Sequence, residues 1–459
     1  MSISCVQYGI KITMTEQQTG GPQSFKPEIS RRDVLHGGAG SVLTGVLAKA
    51  GISPRSAEAG PEPEKSAVLD WKEIGPPTPE KYNPHNEKYN VSGGIRALYA
   101  DPEHPDFTMA ASQNWTGGPT AEFKITADGG RTGWADEKPF KNERGVGRDY
   151  LGLPDGSVLL VADYAVARRG PSGGWDEYSL PKGISVAQTA RLSKDGRLLV
   201  AGKGGIGWAS LEKLNELKDP NNWKMSQNIP QWSMIRTMVT DKDGTIYTSG
   251  WGGSTSPYYK QMEEGPGIWW SKDNGESFQP AGEIAEAVRD SRGRVNGNTI
   301  ELGDYRGSKL MFIGCEGGGS GRDGDRPYDP NFRSFFICVD GKVYDSEKTD
   351  VKGLCSALGQ DLITPQRGIV VSYITRKVYV SSWSQHIAAC DLDAILSGEK
   401  LNWQRVTKPG PQDATFGAGL MVLSTDKSGI DKLFTGGERY VHKDPANKPY
   451  VPVRAAELK

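Results

Sequence analysis

Short apolar segments that end in small residues recur along the chain. Several of them follow an Asp-Gly pair, which suits the positive backbone dihedrals of a two-residue hairpin. The seven segments begin at Phe107, Ser157, Arg197, Thr245, Lys309, Lys377 and Asp431. Their starts are 50, 40, 48, 64, 68 and 54 residues apart, and four short strands with their turns occupy about 40–50 residues. The pattern therefore predicts seven four-stranded units, with insertions in the two longest intervals.

Each predicted unit would leave both faces of its sheet exposed if it stood alone. Packing the units as blades around an axis buries these faces and leaves only short edges. We therefore predict an all-β chain in which residues 92–459 form a single seven-bladed β-propeller of four-stranded blades. A pair of β-sandwiches and a β-helix are the alternatives.

Composition narrows the classes of partner. The 55 basic and 56 acidic residues nearly cancel, so we expect no nucleic-acid partner, because such proteins carry a basic excess or patch. No run of about 18 apolar residues occurs, so we expect no permanent membrane span, and we expect a monomer. Four cysteines follow residue 60, and they form either two disulfides or buried thiols; they are Cys315, Cys338, Cys355 and Cys390.

The N-terminal region has the composition of a targeting signal. Residues 30–35 read Ser-Arg-Arg-Asp-Val-Leu, a weakly apolar stretch follows, and Ala57-Glu58-Ala59 offers a small-residue cleavage site. This order resembles a twin-arginine export signal. We assign 1–59 to that signal, with Met14 as an alternative start, and 60–91 to a Pro- and Glu-rich linker or strap. The resemblance implies the twin-arginine export machinery as a partner and a periplasmic or secreted protein.

Two turns carry a repeated motif. Residues 271–278 read Ser-Lys-Asp-Asn-Gly-Glu-Ser-Phe, and residues 126–134 give a similar pattern with one extra residue. Both resemble the Asp-box, or BNR repeat, S-x-D-x-G-x-x-[WF], of sialidase-like β-propellers. The resemblance implies a structural turn between the third and fourth strands of a blade. The family includes sialidases, other glycoside hydrolases, polysaccharide lyases and non-catalytic assembly or binding proteins, so the fold alone does not choose the function.

Three arginines occupy one repeated position. Arg148 and Arg236 each lie seven residues before an Asp-Gly turn, and Arg96 has the comparable place in the first unit. Inner strands line the channel of a propeller, so these guanidinium groups are candidates for binding a substrate carboxylate through forked hydrogen bonds. Separate ion pairs between blades are the alternative.

The loops after the second strands supply aromatic and polar candidates. Aromatic rings among polar groups suit stacking on sugar faces, and packing within a blade is the alternative for any one of them. The candidate substrate-binding residues in these loops are Trp115, Trp251, Trp383 and Arg439.

The same loops contain the candidate catalytic residues. Hydrolysis would use Asp163 and Glu316, with Tyr164 as nucleophile, whereas elimination beside a uronate carboxylate would use His386 as base. The [FY]RIP motif of sialidases is absent, and Gly-Gly-Ile-Arg96 stands at that place, which argues against sialidase activity.

We therefore expect an exported carbohydrate-active enzyme that cleaves an acidic glycan as a glycoside hydrolase or a polysaccharide lyase. The alternative is a non-catalytic propeller of the cell envelope that binds a glycan or a protein. We expect no cofactor and no metal site, except that the loop from Asp323 to Asp329 has three Asp in seven residues and is a candidate for calcium.

Overall fold

The computed structural model describes residues 2–5, 10–13, 68–75, 95–102, 104–113, 121–229, 234–251, 267–285, 287, 297–315, 335–358, 368–381, 386–407, 420–436 and 453–458. The chain separates into two units, Met1–Glu62 and Pro63–Lys459. In the first unit, β1 (Ser2–Cys5) and β2 (Ile10–Thr13) pair antiparallel. This hairpin lies in the range that the sequence analysis assigns to the export signal.

The second unit is built from four-stranded antiparallel blades, two of which are joined by a single pair, Lys203 with Met234. Its first described strand is β3 (Lys72–Gly75). The first blade contains β4 (Ile95–Ala100), β5 (Thr108–Gln113), β6 (Ala121–Thr126) and β7 (Ala135–Glu137). The second blade contains β8 (Gly147–Gly152), β9 (Val158–Ala162), β10 (Ala165–Arg169) and β11 (Trp175–Tyr178). The third blade contains β12 (Val186–Leu192), β13 (Arg197–Lys203), β14 (Gly205–Ser210) and β15 (Lys224–Met225).

The remaining blades repeat the same order. The fourth contains β16 (Met234–Thr240), β17 (Ile246–Trp251), β18 (Ile268–Ser271) and β19 (Gln279–Pro280). The fifth contains β20 (Gly297–Tyr305), β21 (Ser308–Cys315), β22 (Phe335–Val339) and β23 (Lys342–Val343). The sixth contains β24 (Ile369–Ser372), β25 (Lys377–Ser381), β26 (Ile387–Asp391) and β27 (Gln404–Arg405). The seventh contains β28 (Leu420–Thr425), β29 (Asp431–Gly436) and β30 (Val453–Leu458).

Short helices lie in the connections between strands. The α-helices are α1 (Ser346–Thr349), α2 (Val351–Leu358) and α3 (Leu392–Ser397). The 3-10 helices are Leu211–Lys218, Pro220–Asn222 and Gly282–Ile284. No helix in the described part of the chain is long and apolar enough to cross a membrane.

The first strands of the blades form a closed ring. Each of them contacts the first strand of the next blade, and β28 of the seventh blade contacts β4 of the first. This cycle confirms the predicted seven-bladed β-propeller. It also identifies the first strands as the ones around the central axis, and they are called inner strands below.

The core lies between the blades, as stacking requires. Phe312 and Phe335 of the fifth blade pack in one buried cluster with Val378 of the sixth. Phe434 of the seventh blade packs with Ile95 of the first, so the interface that closes the ring is also apolar. Burying apolar surface at about 25 cal/mol per Å² makes these interfaces the main stabilising contribution.

The seventh blade is completed by the N-terminal side of the chain. β3 pairs antiparallel with β30, so Lys72–Gly75, inside the range 60–91 assigned to a linker or strap, forms the outermost strand of that blade. Trp134 Nε1 of the first blade donates to the Ile74 carbonyl at 2.6 Å. The ring is thus closed by a strand from before the first blade.

The two turns that carry the repeated motif lie between the third and fourth strands of their blades and contain side-chain-to-backbone hydrogen bonds. They connect β6 to β7 and β18 to β19, the third and fourth strands of their blades. Asp273 Oδ1 accepts from the Ser277 backbone N–H at 3.0 Å, and the Phe278 ring is buried. Asp128 Oδ2 accepts from the Thr132 N–H at 2.8 Å. These contacts stabilise turns on the outer side of the blades.

The four cysteines of the propeller are present as thiols. Of the two alternatives that the sequence left open, the structure therefore has thiols and not disulfides. Cys315, Cys338 and Cys390 are buried, and Cys355 is partly buried. Burial, with Asp391 nearby, raises the pKa of the Cys390 thiol to about 12, so this group stays protonated and unreactive at neutral pH.

Candidate functional site

Five inner strands contain the same irregularity near their first residues. In each of the first five blades, one residue is skipped in the pairing between the inner strand and the second strand. Such a β-bulge re-aims the side chain of the extra residue. We call these residues the bulge ring: Arg96, Arg148, Gln188, Arg236 and Asn298.

The bulge ring contains the three predicted arginines and two residues that the sequence analysis missed. Gln188 also lies seven residues before an Asp-Gly turn. The distance to the turn that identified the arginines is therefore a sequence signal for Gln188 as well. Asn298 gives no such signal, because its strand ends in a turn where Arg306 and Gly307 adopt positive φ in place of Asp-Gly. A ring of cationic and amide groups at one level suits a ligand with a carboxylate and other polar groups.

Asn298 is the most informative member of the ring. Its side chain is 4% exposed, and neither Oδ1 nor Nδ2 has a hydrogen-bond partner within the described ranges. A buried polar group left unsatisfied costs about 1–3 kcal/mol. Both the donor and the acceptor of this amide thus lack a described partner inside the protein.

Arg148 holds the carboxylate that the sequence assigned to catalysis. Its Nε lies 2.6 Å from Asp163 Oδ1, and Asp163 Oδ2 accepts from the Val146 N–H at 3.1 Å. Gly145 has φ of 78°, and a Cβ there would lie 2.6 Å from the Asp163 side chain. Asp163 is thus fixed between an arginine and a tight backbone turn. This ion pair lies within the second blade and not between blades, as the alternative for the arginines had it.

Tyr164 follows Asp163 in the chain, but its side chain has different surroundings. Its side chain is 56% exposed and borders a pocket of about 420 Å³ on the second blade, whose lining includes Lys141, Trp175 and Lys218. Arg144 and Glu177, which also line this pocket, form an ion pair at 2.6 Å. The structure therefore does not bring this tyrosine to the bulge ring.

His386 lies outside the inner strands that carry the arginines. It directly precedes β26, the third strand of the sixth blade, and its Nδ1 is 2.8 Å from Thr407 Oγ1. Burial, and secondarily the nearby Arg405, lowers the pKa of the imidazole to about 4. The imidazole is neutral at pH 7. Its contact with Thr407 is explained by packing within the sixth blade.

The other predicted residues fall outside the described side chains. Trp251 is the last residue of β17, and its side chain is not among those that the structure describes. The loop from Asp323 to Asp329 lies outside the described residues, and within those residues no cluster of His, Cys, Asp or Glu could hold a metal ion. The remaining residues outside the described ranges are Trp115, Glu316, Trp383 and Arg439.

A second polar layer lies further along the inner strands. Asp149 Oδ2 accepts from Thr189 Oγ1 at 2.6 Å and from Arg191 Nη1 at 2.8 Å, which joins the second blade to the third. Glu301 occupies the same position in β20 as Arg191 does in β12, three residues past the bulge. Burial raises the pKa of Glu301 to about 8, against the opposing effect of Arg191. Glu301 therefore carries its proton at neutral pH.

Comparisons with known proteins concern the fold. No protein-family model matches the sequence, and neither does any curated protein. The extracellular domain of a B. thetaiotaomicron protein described as a one-component system aligns with a TM-score of 0.51 and 11% identity, over 85% of this chain and 42% of that protein. The present chain thus spans less than half of that relative.

Two further structures align over almost their whole length. The Neurospora crassa Pan2 WD40 domain has a TM-score of 0.48 and 10% identity, over 86% of this chain and 97% of its own. Streptogramin B lyase has a TM-score of 0.46 and 9% identity, over 85% of this chain and 97% of its own. Identities this low say nothing about activity. The closed ring of inner strands is what identifies this chain as a β-propeller.

Proposed function

We propose that this chain is an exported propeller that binds a carboxylate-bearing glycan at the bulge ring. The observation that carries the proposal is the recurrence of one β-bulge in five blades, with arginine at three of these positions and an amide at two. Export is supported by the twin-arginine motif and the small-residue site that follows it. The Asp-box resemblance supports membership in a superfamily with many carbohydrate-active members.

The roles within the ring differ. Arg148 is engaged by Asp163, so it contributes positive potential more than a new hydrogen bond. Arg96 and Arg236 are half-buried, and a guanidinium in that position binds a carboxylate more strongly than one in bulk water. Asn298 supplies an amide donor and acceptor for a neighbouring hydroxyl or acetamido group.

Binding is better supported than cleavage. A glycosidic cleavage site requires a proton donor and an acceptor or nucleophile close to the substrate. Asp163 and His386 lie in different blades, and each has a protein partner, whereas the Tyr164 side chain is largely exposed. Cleavage by hydrolysis or elimination remains the second candidate, to be measured together with binding.

The test uses the chain from Gly60 and oligosaccharides of galacturonate, hyaluronan and sialic acid, with neutral glucose oligomers for comparison. Calorimetry measures binding, and reducing ends and unsaturated-uronate absorbance measure cleavage. A charge-assisted hydrogen bond contributes about 1.5–3 kcal/mol. We therefore expect Arg236→Gln and Arg96→Gln each to weaken binding of the acidic oligomers about ten- to hundredfold.

Arg131→Gln is the matched control, because Arg131 is 73% exposed and pairs with Asp106 on an outer turn. This variant should bind as the unaltered chain does. Failure of every acidic oligomer to bind, or equal binding by the Arg96 and Arg236 variants, would overturn the proposal. Cleavage that persists in Asp163→Asn would exclude Asp163 from catalysis.

A further inference from the structure

Glu301 is a carboxyl group on an inner strand, beyond the level of the bulge ring. It lies on β20, three residues after Asn298 of the bulge ring. Its side chain is half-buried, and its electrostatic surroundings contain Arg191 but no hydrogen bond from the part of the chain that the structure describes. A partly buried carboxyl group without such a bond retains the capacity to hydrogen-bond a ligand.

The position of Glu301 relative to the ring is fixed by strand geometry. A strand advances about 3.3 Å per residue, so three residues separate the two levels by about 10 Å. A pyranose ring with its substituents spans a similar distance. A sugar whose carboxylate lies at the bulge ring can therefore present a hydroxyl group to the next level of the channel.

Charge complementarity favours the same arrangement. Arg191 lies at the level of Glu301 and is held by Asp149 at 2.8 Å, which offsets its positive charge. An ionised Glu301 would add a negative charge close to a bound carboxylate and repel it. A protonated Glu301 avoids this repulsion and supplies an O–H donor that a carboxylate lacks.

We propose that the Glu301 carboxyl group is the second contact of the ligand bound at the bulge ring and donates a hydrogen bond to a hydroxyl oxygen of the acidic sugar. The inference rests on the proposed function and adds to it a sugar class, a uronate-type ring with both a carboxylate and a hydroxyl group. It also implies that binding weakens when Glu301 loses its proton.

Other titratable and charged groups lie on or next to the elements that pack against β20, and they bear on the pH dependence of binding. These elements are β16, β17, β21 and β24. Burial raises the pKa of Tyr247 and of Tyr373, so both phenols stay neutral while Glu301 titrates. Lys309 is ion-paired with Asp243, which raises the pKa of its ammonium group, and Lys242 pairs with Asp304 at 2.7 Å. The arginines near this position are Arg191 and, on β16, Arg236.

The experiment measures the dissociation constant of free glucuronate, the smallest probe with both groups, from about pH 6 to about pH 10. Because the pKa of Glu301 is raised to about 8, affinity should be level below about pH 7 and fall by up to about tenfold per pH unit above pH 8. Glu301→Gln keeps a donor and cannot ionise, so its affinity should not fall over that range. Glu283→Gln, at an exposed position in a 3-10 helix, is the control and should keep the profile of the unaltered chain.

The outcomes separate the inference from the proposed function. If glucuronate binds but Glu301→Gln retains the fall in affinity, or if the unaltered chain shows no fall, the inference is wrong while the bulge-ring site stands. If acidic oligomers bind and glucuronate does not, the inference is again overturned. If neither binds, the proposed function fails as well. If Glu301 had only a structural role, Glu301→Gln would change how the free energy of unfolding depends on pH. The affinity of that variant would still depend on pH as the affinity of the unaltered chain does.

Discussion

His386 shows how burial sets the chemistry of one side chain. An exposed histidine has a pKa near 6.5 and exchanges protons readily at neutral pH. In this protein desolvation lowers that pKa to about 4, while Thr407 accepts from or donates to Nδ1 at 2.8 Å. A neutral, hydrogen-bonded imidazole fills space between strands and is a weak base.

The low pKa of His386 predicts a pH dependence of stability. The unfolded chain binds the proton near pH 6.5, and the folded chain only near pH 4. Stability is therefore fully present above pH 6.5 and is lost as the pH falls towards 4. The loss should reach about 2 kcal/mol, because solvent screens part of the effect on a half-buried group. Denaturation in guanidinium at several pH values measures this loss.

His386→Gln should remove most of this loss because glutamine keeps a polar contact and does not titrate. His104→Gln is the control, since His104 is 60% exposed beside Asp101. Equal pH profiles for the His386 variant and the unaltered chain would show that another group causes the acid sensitivity.

The strands carry the positions on which the proposed site depends. A β-bulge changes only one pairing, yet its repetition in five inner strands brings polar side chains to one level. The sequence signal for this level is the distance to the hairpin turn, which is clear for Arg148, Gln188 and Arg236. Arg148 contacts Asp163 because the antiparallel pairing of β8 with β9 brings the residue after β9 beside the start of β8.

The strand β3 leads to a prediction about stability. A chain that begins at Pro76 lacks the outermost strand of the seventh blade, with its pairing to β30 and the Glu73–Arg454 ion pair. Each lost hydrogen bond contributes about 0.5–1.5 kcal/mol, so we expect destabilisation by at least about 3 kcal/mol relative to the chain from Gly60. The denaturation midpoint measures this difference.

Glu73→Gln serves as the control for the loss of the ion pair alone. Glu73 is exposed, and an exposed ion pair contributes about 0–1 kcal/mol. If the chain from Pro76 unfolds at the same denaturant concentration as the chain from Gly60, β3 does not close the ring in solution.

The closed ring of blades protects the interior as a unit. Every inner strand contacts two others, so a blade cannot open without disturbing its neighbours. The buried cysteines report on such opening, because thiols react only when they are reached by a reagent and ionised. Of the four in the propeller, three are buried and one is partly buried.

We therefore predict how the chain from Gly60 responds to a thiol reagent without added reductant. In native conditions Cys315, Cys338 and Cys390 should not react, whereas all four thiols should react after unfolding in guanidinium. A chain exposed to an oxidant before unfolding serves as the comparison. Fewer than four reactive thiols in the unoxidised unfolded chain would indicate a disulfide and contradict the structure.

Local sequence determined the repeat and hence the fold class. Hairpin turns, alternating apolar segments and the Asp-containing turns depend on neighbouring residues, and those signals survive in the order of the chain. The number of blades followed from counting these segments. The level of Arg96, Arg148 and Arg236 followed from their distance to a turn.

Long-range packing decided the rest. The pairing of β3 with β30 joins residues that are about 380 positions apart, and no local pattern in Lys72–Gly75 marks it. Burial lowered the pKa of His386 to about 4 and raised the pKa of Glu301 to about 8. These properties arise because desolvation and hydrogen bonding depend on which side chains the closed ring brings together, and such neighbours come from different blades or strands.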